Sequence, residues 1–158
     1  MQRCGENGHK RILVSITSPY IRGSKPAKLD KDSWTDVLRL EFHDIDPEKL
    51  DRDKRVKKER IKRVYFDDKM AIKVLEFLKK HQDGIVTEAV VHCEAGISRS
   101  AAVSKFIAQI YNLQFPQKYN LYNKHVFSTM LKVHGHCLYD SGPLTLEQLP
   151  GIFPKDLT

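Results

Sequence analysis

Cysteine is scarce in this chain. There are three in 158 residues, Cys4, Cys93 and Cys137, odd in number and far apart. A disulfide scaffold needs a paired set, so that class is excluded and a reducing compartment fits better. Zinc-site spacing is missing too: Cys93 has no CxxC partner, and His134 and His136 beside Cys137 are too sparse a set. No apolar run is long enough to span a bilayer. The segment Met1-Gln2-Arg3-Cys4-Gly5-Glu6-Asn7-Gly8 lacks the apolar core of a signal peptide, so a cytoplasmic protein is expected. Internal repeats and low-complexity segments are also lacking.

What is present is ordinary soluble-domain composition, 41% hydrophobic and 30% charged, at a length that fits one domain over 1–158. The net charge is +7, and much of it is local: residues 49–63 hold nine Lys/Arg against three Asp/Glu. The segment 48–64 reads first as a solvated, partly helical face. A sharper reading is an electrostatic collar that draws anionic substrates. Nucleic acid is a third option, weakened because only Tyr65 and Phe66 stand beside the basic run.

The most informative stretch is residues 92–100, His-Cys-Glu-Ala-Gly-Ile-Ser-Arg-Ser, directly after Ala89-Val90-Val91. A cysteine ends an apolar strand, an arginine follows six residues later, and a helix-compatible segment runs on to Tyr111. A loop bent back on itself there aims backbone N–H groups inward and is closed by Arg99. Such a nest at a helix N-terminus binds a tetrahedral oxyanion above the sulfur. The alternative, a buried structural cysteine, leaves Arg99 and Ser100 unexplained.

Along the chain, 12–17 reads as a strand stopped by Ser18-Pro19, and 37–42 as a second strand ending in His43-Asp44-Ile45-Asp46-Pro47. The spacing predicts a helix over 67–81 with Met70, Ala71, Val74, Leu75 and Leu78 on one face, capped by Asp67 or Asp68. Gly84 turns into a strand over 89–92, followed by helices over about 98–111 and 118–133. Tyr119, Tyr122, Val126 and Met130 form the last stripe and Gly135 the stop. The core is expected over about 10–135, and residues 140–158 read as an irregular tail. Strands alternating with helices predict an α/β domain of three layers, a largely parallel central sheet flanked by helices. Ligands of such sheets bind at the carboxyl ends of strands, where Cys93 and Asp44 both fall.

The chemistry follows from these residue types. A free thiol with pKa about 8.5 is lowered by inward N–H groups, a helix N-terminus and a guanidinium, and the thiolate is the nucleophile. It can attack a phosphate monoester and form a phosphocysteine. Arg99 grips two oxygens through its planar fork, which lysine cannot copy. Gly96 allows a positive φ or a close approach. The Ser100 hydroxyl is placed to donate to the leaving sulfur, and His92 to order the loop by hydrogen bonding. The leaving oxygen needs a general acid, for which Asp44 is the first choice and Asp46 the second.

Together these residues resemble the compact dual-specificity group of the protein tyrosine phosphatase superfamily. The resemblance rests on Val90-Val91-His92-Cys93 through Ser100-Ala101, on the amphipathic helix before it and on Leu40-Glu41-Phe42-His43-Asp44. It implies a protein tyrosine phosphatase-like fold, with Cys93 as nucleophile, Arg99 as phosphate ligand, Ser100 in breakdown of the intermediate and the aspartate after the second strand as acid. It implies that the amides of Glu94, Ala95, Gly96, Ile97, Ser98 and Arg99 hold the phosphate, with no metal or organic cofactor. The interval from Asp44 to Cys93 is longer than in compact members, and 48–64 looks like an insertion. The interior Glu94-Ala95-Gly96-Ile97-Ser98 lacks the lysines of lipid-directed relatives and the His-Gly-Phe-Asn-like interior of RNA-directed ones. Phosphorylated proteins are therefore the expected substrates, on tyrosine and also on serine and threonine. The rival readings are an RNA 5′-phosphatase or phosphoinositide phosphatase, a phosphate-binding module without turnover, and an arsenate reductase.

Overall fold

The structure is a computed structural model that describes residues 10–19, 28–47, 63–82 and 86–140. Most of the basic segment, Cys4, the Gly84 turn and the tail beyond residue 140 lie outside the described residues. Three strands, β1 (Lys10–Thr17), β2 (Asp36–Glu41) and β3 (Val86–His92), form a parallel sheet in the order β2-β1-β3. A short 3-10 turn, Lys31–Ser33, precedes β2. The helices are α1 (Asp68–Lys80), α2 (Arg99–Ile110) and α3 (Lys124–Asp140).

The central strand explains the sheet. Parallel strands buried on both faces read as continuous apolar runs, and Ile12, Leu13, Val14 and Ile16 are all buried with Ser15 among them. Because β2 and β3 flank β1, the connection between them must cross β1, and α1 makes that crossover. Its start is fixed by Asp67, whose side chain accepts the Met70 N–H at 2.9 Å. Lys79 and Lys80 stand in its last turn, where the helix dipole favours cations.

Ile12, Val14 and Ile16 face a core completed by Val74 and Leu78 of α1, Val103 and Phe106 of α2, and Val126 and Met130 of α3. Phe42 and Phe66 meet edge to face at 5.0 Å. All three helices share this one core. The α/β class and the parallel sheet stand as expected, but the second helical layer of a three-layer domain is not among the described elements. Leu13 and Ser15, on the opposite face of β1, are nonetheless buried.

Two helix boundaries differ from the sequence reading. The last helix begins at Lys124, not near 118, because Asn123 caps it and Tyr119 is used elsewhere. It also runs through Gly135 to Asp140. A glycine inside a helix costs about 1 kcal/mol in propensity, less than the packing of Met130 and Val133 returns. The end of α2 is set by Asn112 at φ 51, with the Leu113 N–H donating to the Ala108 carbonyl at 2.7 Å. Among the described residues, no helix is long and apolar enough to cross a membrane.

Candidate phosphate-binding site

The carboxyl ends of all three strands meet at one place. β1 delivers Ser18, β2 delivers Phe42 and Asp44, and β3 delivers Cys93, with the bends at 94–98 leading into α2. Pairing of β2 with β1 continues just past the strand, as the Phe42 N–H donates to the Thr17 carbonyl at 3.0 Å. That contact fixes the backbone from which Asp44 departs.

Cys93 is 8% exposed, and its Sγ lies 3.1 Å from Ser100 Oγ. Burial pushes the thiol up, but the Ser100 hydroxyl, the backbone N–H groups of Ser100 and Gly96, and the charge of Arg99 outweigh it, so the pKa is lowered. The loop therefore favours a thiolate. Gly96 has φ +68, a backbone state that glycine alone adopts without strain, and this brings its amide to the sulfur.

Arg99 is 4% exposed and heavily constrained. Its Nη1 donates to Ser18 Oγ and to the Phe42 carbonyl, both at 2.8 Å. Its Nη2 donates to Glu94 Oε2 at 2.9 Å, and the Ser18 hydroxyl donates to that same oxygen at 2.8 Å. The linked pair Ser18–Glu94 thus caps the Nη1–Nη2 end of the guanidinium. Nε is buried and has no hydrogen-bond partner among the described residues. Nη1 has used both hydrogens and Nη2 keeps one, so the Nε–Nη2 edge is the fork left for a bidentate oxyanion. A buried N–H without a partner costs about 1–3 kcal/mol, and an anion on that edge would recover it.

Asp44 is joined to the loop: its Oδ1 accepts from Ser98 Oγ at 2.8 Å and from Asn123 Nδ2 at 2.9 Å. Asp46 is half-buried two residues further on. His92, expected to order the loop by hydrogen bonding, instead has its Nε2 buried and unpartnered among the described residues, beside Ser15 in register. Glu94, Ala95, Gly96 and Ile97 form the exposed rim of the loop. The Tyr119 hydroxyl donates to the Ile97 carbonyl and braces that rim. Among the described residues, no three His, Cys, Asp or Glu side chains are grouped to hold a metal ion.

Comparisons with protein-family models, curated proteins and solved structures find no match.

Sequence reasoning finds Cys93, Arg99, Ser100 and Asp44, and the structure brings them together at one strand end. It misses the side chains of Ser18, Glu94, Ser98 and Asn123. Asn123 had a signal, since asparagine is a preferred N-cap, hidden by placing the helix start at 118. Ser18 and Glu94 had none: they are 76 residues apart and meet only because β1 and β3 are neighbours.

Proposed function

We propose that this chain is a cysteine-dependent phosphomonoester hydrolase acting on phosphotyrosine, and also on phosphoserine and phosphothreonine, in proteins. The observation that carries this reading is Arg99: buried, capped at one end by Ser18 and Glu94, and left with its Nε–Nη2 edge open beside a cysteine with a lowered pKa.

In the first step the Cys93 thiolate attacks phosphorus, an S–P bond forms and the ester P–O bond breaks. Asp44 gives its proton to the leaving oxygen, while Arg99 and the loop amides hold the charge that develops on the equatorial oxygens. In the second step water attacks phosphorus, its proton passes to the Asp44 carboxylate and the S–P bond breaks. The Ser100 hydroxyl donates to the departing thiolate, and inorganic phosphate is released. The electron pairs balance with water as the sole co-reactant, which makes the reaction a hydrolysis.

The test is hydrolysis of p-nitrophenyl phosphate and of a phosphotyrosine peptide in the presence of a thiol reductant. Turnover lost in Cys93→Ser, with an acid-stable phosphoenzyme trapped by rapid quench in the wild type, is expected. Turnover that survives Cys93→Ser overturns the reading.

A further inference from the structure

Two helix N-caps converge on one carboxylate oxygen. Ser98 is the N-cap of α2, yet its side chain makes no capping hydrogen bond. Its hydroxyl goes instead to Asp44 Oδ1 at 2.8 Å. Asn123 does cap α3, its Oδ1 accepting the Val126 N–H at 3.1 Å, but its Nδ2 also donates to Asp44 Oδ1 at 2.9 Å and to the Ile45 carbonyl at 3.4 Å. The two caps are themselves tied, as the Asn123 N–H donates to the Ser98 carbonyl at 3.1 Å. Asn123 is 7% exposed, whereas Asp44 is exposed.

An exposed loop aspartate ordinarily samples several rotamers. A general acid must instead stand within hydrogen-bond reach of the oxygen it protonates, and small misplacements cost large factors in rate. Both donors here occupy Oδ1, so Oδ2 is the oxygen left to carry a proton. Ser98 also precedes Arg99, so the group that orients the acid and the group that grips phosphate belong to one short stretch of backbone.

We propose that Ser98 and Asn123 are positioning residues for the general acid: they hold Asp44 by Oδ1 against the phosphate loop and present Oδ2 to the leaving group. This rests on the phosphatase reading above and adds to it the means by which the acid is placed.

The experiment compares kcat/KM on two esters, phosphotyrosine and 2,4-dinitrophenyl phosphate. The tyrosine phenol, with pKa about 10, needs a proton to leave, whereas the dinitrophenolate leaves without one. The variants are Asp44→Asn, Ser98→Ala and Asn123→Ser; serine keeps an oxygen that caps α3 but is too short to reach Asp44. General acids contribute about 10²–10⁴-fold, so Asn123→Ser is expected to lose about tenfold or more on phosphotyrosine and less than about twofold on the dinitrophenyl ester, and Ser98→Ala, a residue of the phosphate loop, to lose about fivefold or more on phosphotyrosine relative to the dinitrophenyl ester. In an Asp44→Asn background neither should cause further loss. Equal losses on both esters, or additive losses with Asp44→Asn, overturn the proposal. Should Asn123→Ser fail to fold, Ser98→Ala alone decides between these outcomes, because it removes no cap. Wild type that turns over neither ester overturns the phosphatase reading and this proposal with it; Cys93-dependent turnover with uniform losses overturns the positioning alone.

Discussion

Arg99 Nη2 donates to Glu94 Oε2 at 2.9 Å, and the same carboxylate oxygen takes the Ser18 hydroxyl hydrogen at 2.8 Å. An anionic side chain is therefore built into a loop whose shape suits anions. Burial pushes the Glu94 carboxyl up, but the Ser18 hydroxyl and the Arg99 guanidinium hold it below its usual range, so it is charged at neutral pH. Glu94 orients the arginine and would also repel an anionic ligand. The two effects separate by substitution. Glu94→Gln keeps an acceptor for Arg99 and Ser18 and loses the charge, so inhibition by inorganic phosphate is expected to tighten by about three- to tenfold. Glu94→Ala frees the guanidinium, and kcat/KM should fall by about tenfold or more. Phosphate inhibition constants for both variants check this; weaker binding in Glu94→Gln would show that the charge is needed to orient Arg99.

The lowered thiol of Cys93 makes a prediction independent of turnover. A free cysteine has pKa about 8.5. The rate of Cys93 alkylation by iodoacetamide should therefore titrate with a midpoint lowered from that of an ordinary buried cysteine, since the thiolate is the reactive form. Ser100→Ala removes the side-chain hydrogen bond, so the midpoint should move up. The same variant should accumulate phosphoenzyme, because the leaving sulfur loses its donor in the second step. A midpoint unmoved by Ser100→Ala would leave the loop amides and Arg99 as the main source of the shift.

A second electrostatic cluster bears on stability. Asp36, at the start of β2, accepts from Lys80 Nζ at 2.8 Å and lies 2.9 Å from His81 Nε2, at the end of α1. The Lys80 hydrogen bond is the largest influence; burial opposes it, His81 and the Val37 N–H add to it, and the carboxyl falls from 3.8 to about 2. A depressed carboxylate contributes stability in full above its unfolded value and loses it as pH falls through its folded value. The contribution is thus complete above about pH 5 and gone below about pH 2. Lys80 is largely exposed, so solvent screening reduces the gain to about 1 kcal/mol. Asp36→Asn should lower the urea midpoint at pH 7 and match wild type near pH 2.

Much of the site was legible in the sequence because its parts are local. Cys93, Gly96, Arg99 and Ser100 lie within eight residues, and a strand–loop–helix order is enough to place them. Asp44 was legible through a general rule, that ligands gather at the carboxyl ends of parallel strands. What orients these groups was not legible. Ser18 meets Glu94, and Asn123 meets Asp44, across 76 and 79 residues, through strand order and helix packing that no local pattern encodes. The helix limits failed for a different reason. Tyr119 and Tyr122 continue the apolar stripe backward from Val126, but Tyr119 braces the rim at Ile97, and the Tyr122 ring stacks under the Lys105 ammonium at 3.9 Å. Both are packed as loop residues with the same periodicity a helix would show.

Gly135 shows how packing overrides a stop signal, and it leads to a stabilising substitution. It lies inside α3, with eleven of the helix's residues before it, Lys124 to His134, and five after it. A Cβ built at this position meets nothing within 4 Å. Alanine there adds no clash and restricts the unfolded chain, which favours the folded state by about 0.5–1 kcal/mol. For a chain of this size that corresponds to a rise in Tm of about 1–4 °C. Gly96→Ala is the contrasting case: its Cβ also meets open space, but φ +68 penalises any side chain by about 1–2 kcal/mol. Thermal unfolding should therefore rise in Gly135→Ala with phosphatase activity unchanged, and fall in Gly96→Ala with activity reduced, since the Gly96 amide faces Cys93. A Gly135→Ala protein less stable than wild type would mean that the helix depends on the flexibility of that residue.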